Sequence, residues 1–172
     1  MILAFDTYYY DNKAKTVCVS FENWNDSKPL DIDSEIIEGV EAYEPGSFYK
    51  RELPCILSLL KRMPITDIDY IIVDGFVLLD DEGKLGLGGH LFDAIDKSVP
   101  VLGVAKSGFH ENKKNVRELL RGESIKPLYI SAIGVELDRA YDMIKSMHGD
   151  FRMPTLLQIL DTKTKEKVDE SI

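Results

Sequence analysis

Two short apolar segments of this chain each run into an aspartate: Met1-Ile2-Leu3-Ala4-Phe5-Asp6 at the start, and Tyr70-Ile71-Ile72-Val73-Asp74-Gly75 near the middle. Runs of this length and composition read as buried strands. A carboxylate at the end of a buried strand is costly unless a cation or hydrogen bonds compensate it. In open α/β sheets, ligands bind at the carboxyl ends of the strands. If the two strands are parallel neighbours, both acids converge on one point, the arrangement of a divalent-metal site for phosphodiester chemistry. The other reading is that each Asp merely ends a strand in a turn, a common use of the residue. The residues alone leave both open.

With 172 residues and 44% hydrophobic content, the chain fits one domain with a sizeable core. No run of about 18 apolar residues is present, and no basic stretch precedes the first apolar residues, so neither a membrane span nor a secretory signal is expected. Cys18 and Cys55 have neither metal-site nor disulfide-framework spacing and read as buried thiols of a cytoplasmic protein. The net charge of −9 weighs against a broadly basic nucleic-acid surface. Positive charge is local: Lys50-Arg51, Lys61-Arg62, and the stretch Lys106, Lys113, Lys114, Arg117, Arg121, Lys126. These residues form either one basic cleft or ordinary solvated faces.

Along the chain, residues 1–6 and Thr16–Phe21 read as strands joined through the Asp11-Asn12 turn, with a third strand near Ser34–Val40. The spacing predicts a helix over Ser47–Met63, kinked or delayed by Pro54 and closed by Pro64. Then follow a strand at 70–74, a short helix over His90–Asp96, a strand at Val99–Val104, a helix over Asn115–Arg121 and a strand at Pro127–Ser131. An amphipathic helix over Glu136–Met147, a short helix over Pro154–Leu160 and a charged, frayed tail from Thr162 complete the reading. The expected architecture is α/β: a mixed sheet with an antiparallel N-terminal meander and helices on both faces, one domain over 1–161 and a tail over 162–172.

Four stretches carry candidate chemistry. They are Asp6; the turn and helix start Tyr43-Glu44-Pro45-Gly46-Ser47-Phe48-Tyr49-Lys50-Arg51-Glu52; Asp74-Gly75 with the later Gly83, Gly86, Gly88, Gly89 and His90; and Gly103-Val104-Ala105-Lys106. The glycines match neither the dinucleotide nor the P-loop spacing, so they serve either close ligand approach or turns. His90 is either a site residue or a packed histidine. Tyr8, Tyr9 and Tyr10 occupy ordinary β positions or stack on bases.

In this order, the four stretches resemble the endonuclease V family, with Arg152-Met153-Pro154-x-Leu156-Leu157 and Asp161 similar to that family's closing segment. The resemblance spans residues 1 to about 161 and implies a short, divergent member. It implies an RNase H-like fold and Mg²⁺-dependent (or Mn²⁺-dependent) cleavage of a phosphodiester 3′ of inosine or another deaminated base. Carried over by motif, Asp6, Glu52 and Asp74 are the metal-binding and catalytic acids, and Lys106 contacts a phosphate. Tyr43 and Pro45 form a strand-separating wedge. Gly75, Gly86, Gly88, Gly89 and His90 shape the pocket for the extruded base.

Three departures stand out. The Asp74-Gly75 motif continues as Phe76-Val77-Leu78-Leu79-Asp80-Asp81, adding two acids where nucleic acid should approach. A Gly-His near the last core strand is replaced by Ser131-Ala132-Ile133-Gly134-Val135-Glu136, so Glu136 or Asp138 becomes a candidate fourth site residue. Glu44 occupies an apolar wedge position. The expected partner is single-stranded or loosely paired, inosine-containing nucleic acid in DNA or RNA form, and the protein is expected to be a monomer. Two rival readings are a non-catalytic binding module of the same family and a small nucleotide-handling enzyme using the Gly83–Gly89 loop.

Overall fold

Alternation along the first strand sets the two faces of the sheet. In β1 (Ile2–Tyr10), Ile2 and Ala4 enter one apolar cluster while Leu3 and Phe5 enter the other, the period-two consequence of the pleat. The structure, a computed structural model, describes residues 1–39, 49–108 and 111–166. β1 pairs antiparallel with β2 (Lys13–Phe21), which pairs antiparallel with β3 (Asp31–Glu38). The two-residue turn between β1 and β2 has Asp11 at φ 46° and Asn12 at φ 60°. Both residues tolerate that left-handed conformation, whose twist matches a tight hairpin.

On its other side β1 pairs in parallel with β4 (Tyr70–Asp74), and β4 in parallel with β5 (Val101–Ala105). Antiparallel β7 (Leu128–Ile133) and β6 (Arg117–Leu119) complete a seven-stranded order β3-β2-β1-β4-β5-β7-β6. Helices α1 (Tyr49–Leu60) and α2 (Leu87–Ala94) cover the face of Leu3, Phe5, Ile71 and Val73. Helices α3 (Leu137–Lys145) and α4 (Thr155–Lys165) cover the face of Ile2, Ala4, Ile72 and Val104. This is the expected mixed sheet, with an antiparallel meander at one side and helices on both faces. Among the described residues no helix is long and apolar enough to cross a membrane.

Three element readings need correction, and the place of Pro54 inside α1 rules out a delayed start of that helix. β1 does not stop at Asp6 but runs to Tyr10, because β2 keeps pairing with it after β4 has ended. Asn115–Arg121 is not helical: Arg117–Leu119 is an edge strand whose Leu119 lies opposite Leu128 and is fully buried. Pairing and burial there override the helical propensity of Arg-Glu-Leu-Leu-Arg. Pro54 lies inside α1 and removes one helical hydrogen bond without ending the helix. The charged segment after Thr162 is helical to Lys165, and Thr164 is buried. Its anchor is Lys15 of β2, a 7% exposed lysine whose Nζ donates to the carbonyls of Lys163 (2.7 Å) and Glu166 (3.0 Å). A cation on the last carbonyls of a helix satisfies orphan acceptors and the negative end of the macrodipole.

Candidate active site

The parallel register brings the two strand-end acids together. β1 and β4 pair from Ile2↔Tyr70 to Phe5↔Val73, so Asp6 and Asp74 follow at the same level. By alternation, both share the face of Ala4 and Ile72, beneath α4. Their carboxyl groups share a hydrogen bond, and the Thr7 backbone N–H donates to Asp6 Oδ1 at 2.8 Å. Asp6 is 7% exposed. Burial, then the charge of Asp74, pushes its carboxyl up to about 7. Burial also raises Asp74, against the lowering effects of the Lys106 charge and the hydrogen bond from Asp6. A hydrogen bond between two carboxyl groups needs one proton between them, so the pair is less acidic than two separate carboxyls.

Glu52 arrives from the other layer. The first half of α1 points it at the same edge, where it is 3% exposed. The Thr7 hydroxyl hydrogen-bonds its carboxylate, but Glu52 Oε2 is buried without any hydrogen-bond partner. Burial, then the charges of Asp6 and Asp74, holds Glu52 well above the usual carboxylate range. A buried, orphaned carboxylate oxygen facing two acids that share a proton is the donor set a hard divalent cation takes. Its charge would compensate what burial penalises. Among the described residues, no group of three or more His, Cys, Asp and Glu side chains is placed so that it could hold a metal ion. The acids are of the chemical type that such an ion takes.

A fourth acid comes from α4. Asp161 Oδ1 lies 3.3 Å from Lys106 Nζ, and Asp161 Oδ2 lies 3.2 Å from Lys165 Nζ. Burial raises Asp161, but hydrogen bonds and charge from Lys165 and Lys106 outweigh it and hold the carboxylate below its ordinary value. Lys106 follows β5, so alternation puts it on the same face as Val104. Phe5, Asp6, Asp74, Lys106, Met153 and Asp161 are among the residues lining one small cleft. Asp161 was visible in the sequence only as part of the closing segment. The usable signal was its place four residues after buried Leu157, where an acid continues an apolar stripe.

Glu136 and Asp138 do not supply the fourth acid. β7 is antiparallel to β5, and its end at Ile133 lies beside Val101, the start of β5, at the opposite edge of the sheet. Asp138 instead pairs with Arg117 at 2.9 Å. The acidic loop also has an internal use. Asp80 Oδ1 accepts the Glu82 and Lys84 amides, and Asp81 Oδ1 accepts those of Lys113 (2.6 Å) and Lys114 (2.7 Å).

Gly86, Gly88 and Gly89 are buried against Phe76 and Val77. A Cβ at Gly86 would sit 2.5 Å from the Phe76 carbonyl oxygen, and one at Gly89 2.6 Å from that of Val77. They let α2 approach the loop after Asp74. Gly75 has φ 143° at the turn out of β4, with open space where a Cβ would be. His90 stacks on Tyr49 with ring centroids 3.6 Å apart. Tyr43 and Pro45 lie outside the described residues. Tyr8 and Tyr10 stack on each other, and the Arg51 guanidinium lies over Tyr9 at 3.4 Å.

The same architecture is found in solved structures. Endonuclease V from Ciona intestinalis, in complex with a 24mer DNA containing an inosine followed by a ribo-adenosine, aligns with a TM-score of 0.75 at 17% identity, covering 95% of this chain and 83% of that one. Human ENDOV aligns with a TM-score of 0.73 at 22% identity, covering 95% and 82%. The Bacillus subtilis endonuclease V aligns at 0.72 and 18%, covering 95% and 77%. At these identities the likeness shows the fold, which is RNase H-like. No curated protein matches the chain. The endonuclease V family model matches residues 1–162, and the chain belongs to the endonuclease V family.

Proposed function

We propose that this protein is a Mg²⁺- or Mn²⁺-dependent endonuclease that cuts a phosphodiester 3′ of inosine or another deaminated base in single-stranded or loosely paired nucleic acid. The observation that carries the reading is the parallel register that puts Asp6 beside Asp74, together with a buried Glu52 that feels the charge of both and has an unpartnered Oε2. Burial raises the proton affinity of all three acids, and the Asp74 charge adds to it at Asp6 and the charges of both at Glu52, so ionising them costs the metal-free fold stability. Asp6, Glu52 and Asp74 would hold the ion. When bound, it lowers the pKa of the attacking water and offsets charge on the phosphate. Lys106 stands at the cleft mouth as a phosphate contact, and Asp161 holds its ammonium toward the acids. His90, Gly75 and the buried glycines would shape the base pocket, with Tyr43 and Pro45 as its wedge.

A non-catalytic binding module is the second reading, favoured by the −9 charge and by Lys106 being already engaged with Asp161. One assay separates the two: a labelled single strand with one inosine, as DNA and as RNA, incubated with Mg²⁺ or Mn²⁺ at low salt. The expected result is a metal-dependent cut 3′ of the inosine, absent with Asp74→Ala and with an inosine-free strand. Metal binding with no cut at any substrate would transfer the case to the binding module.

A further inference from the structure

Phe151 is exposed, yet the chain around it is fixed. Its side chain is 79% exposed, while its carbonyl accepts Arg121 Nη1 at 2.8 Å. The same buried guanidinium donates to the carbonyls of Met147 (2.7 Å) and Gly149 (3.1 Å). The next residue, Arg152, donates to the carbonyls of Lys106 (2.5 Å) and Pro127 (2.7 Å). The residue after that, Met153, lines the acid cleft. The Phe151 Cα lies against Gly122, at the tip of the β6–β7 hairpin. That tip stands at the acid edge of the sheet, because Ala105 pairs with Tyr129 and Leu119 with Leu128. It also carries exposed Ile125 and Lys126.

An aromatic ring on a loop clamped by two arginines has already lost most of its conformational freedom, so covering it costs little further entropy. Its surroundings select the occupant. The Arg152 clamp ties this loop to the backbone of Lys106 and of Pro127, next to Lys126, and cations close to an exposed ring suit phosphates beside a base. A chain of net charge −9 gains little from distributed phosphate attraction, so stacking has to carry much of the binding. We propose that Phe151 is a stacking platform for an unpaired base next to the scissile phosphate, which makes the substrate a strand that is single-stranded on that flank. The inference rests on the nuclease reading above.

The test uses a single strand carrying one inosine and 2-aminopurine at successive flanking positions, with Ca²⁺ in place of Mg²⁺ to keep it intact. Phe151→Ala should weaken binding roughly 5- to 100-fold with an unchanged salt slope, and should relieve 2-aminopurine quenching at one position. Phe151→Trp should retain both. The metal-induced rise in Tm should be the same in all three proteins, which shows that the fold and acid site are intact. Wild-type affinity and quenching in Phe151→Ala, with cleavage preserved, would overturn the inference and leave the nuclease reading standing. A wild-type protein that neither binds nor cuts any strand would overturn both. Concentration-dependent self-association abolished by Phe151→Ala, with strand affinity unchanged, would assign the ring to an interface between copies and refute the platform.

Discussion

Replacing Asp6 by Asn should stabilise the metal-free protein at alkaline pH while abolishing its response to metal. In the folded chain Asp6 keeps its proton up to about pH 7, against an ordinary value of 3.8, chiefly through burial and then through the charge of Asp74. Between those two values the folded state binds more protons than the unfolded state. Stability is therefore fully present below about pH 4 and is lost as pH rises through 7. At roughly 1.4 kcal/mol per pH unit, ionising Asp6 costs the fold about 4 kcal/mol. Asn at this position still accepts the Thr7 amide and can donate to Asp74, so it keeps both hydrogen bonds without the buried charge. For a chain of this size, each kcal/mol moves Tm by about 2–4 °C, so Asp6→Asn should melt on the order of 10 °C higher at pH 8 in chelator. The assay is thermal unfolding from pH 4 to 9, with chelator and then with Mg²⁺ or Mn²⁺. Wild type should lose stability with rising pH and recover it with metal, while the variant should lose less, keeping only the contributions of Glu52 and Asp74, and should not respond to metal. A variant that melts at or below wild type at pH 8 in chelator would refute the argument that buried charge at Asp6 is the destabilising element.

Two further substitutions test how the site is held. Lys15→Met removes the cation from the last carbonyls of α4 and should cost about 2–3 kcal/mol of stability. Because α4 carries Asp161, which holds Lys106, the variant should also bind the inosine-containing strand more weakly, with Lys15→Arg restoring part of both. Arg121→Met leaves the Met147, Gly149 and Phe151 carbonyls without their shared donor and should cost about 3–5 kcal/mol by chemical denaturation. An effect below about 1 kcal/mol would mean that solvent replaces the guanidinium.

Local pattern revealed much of this site because the decisive geometry is local on each strand. An apolar run ending in an acid states both the burial of the strand and the place of its carboxylate. The parallel register of β1 and β4 then needed no further information to bring Asp6 and Asp74 together. Glu52 was legible only through motif spacing, since nothing in the periodicity of α1 says that its first half meets the far end of the sheet. The edge strand at Arg117–Leu119 was misread because its residues favour a helix, and only β7 decides otherwise.

The misplaced fourth acid shows where local reading ends. Glu136 follows a core strand just as Asp6 and Asp74 close apolar runs, and pattern alone treats the three alike. Strand direction separates them: a residue after an antiparallel neighbour emerges at the opposite edge, and the Ile133↔Val101 pairing puts Glu136 there. The acid that reaches the site comes from a helix crossing that face. Leu156, Leu157 and Leu160 bury α4 against the sheet, at about 1.5–3 kcal/mol for each leucine, and Lys15 fixes its end. Those contacts join residues more than a hundred positions apart. The part of the site that sequence pattern misses is therefore the part that tertiary packing adjusts, here the Asp161–Lys106 pair.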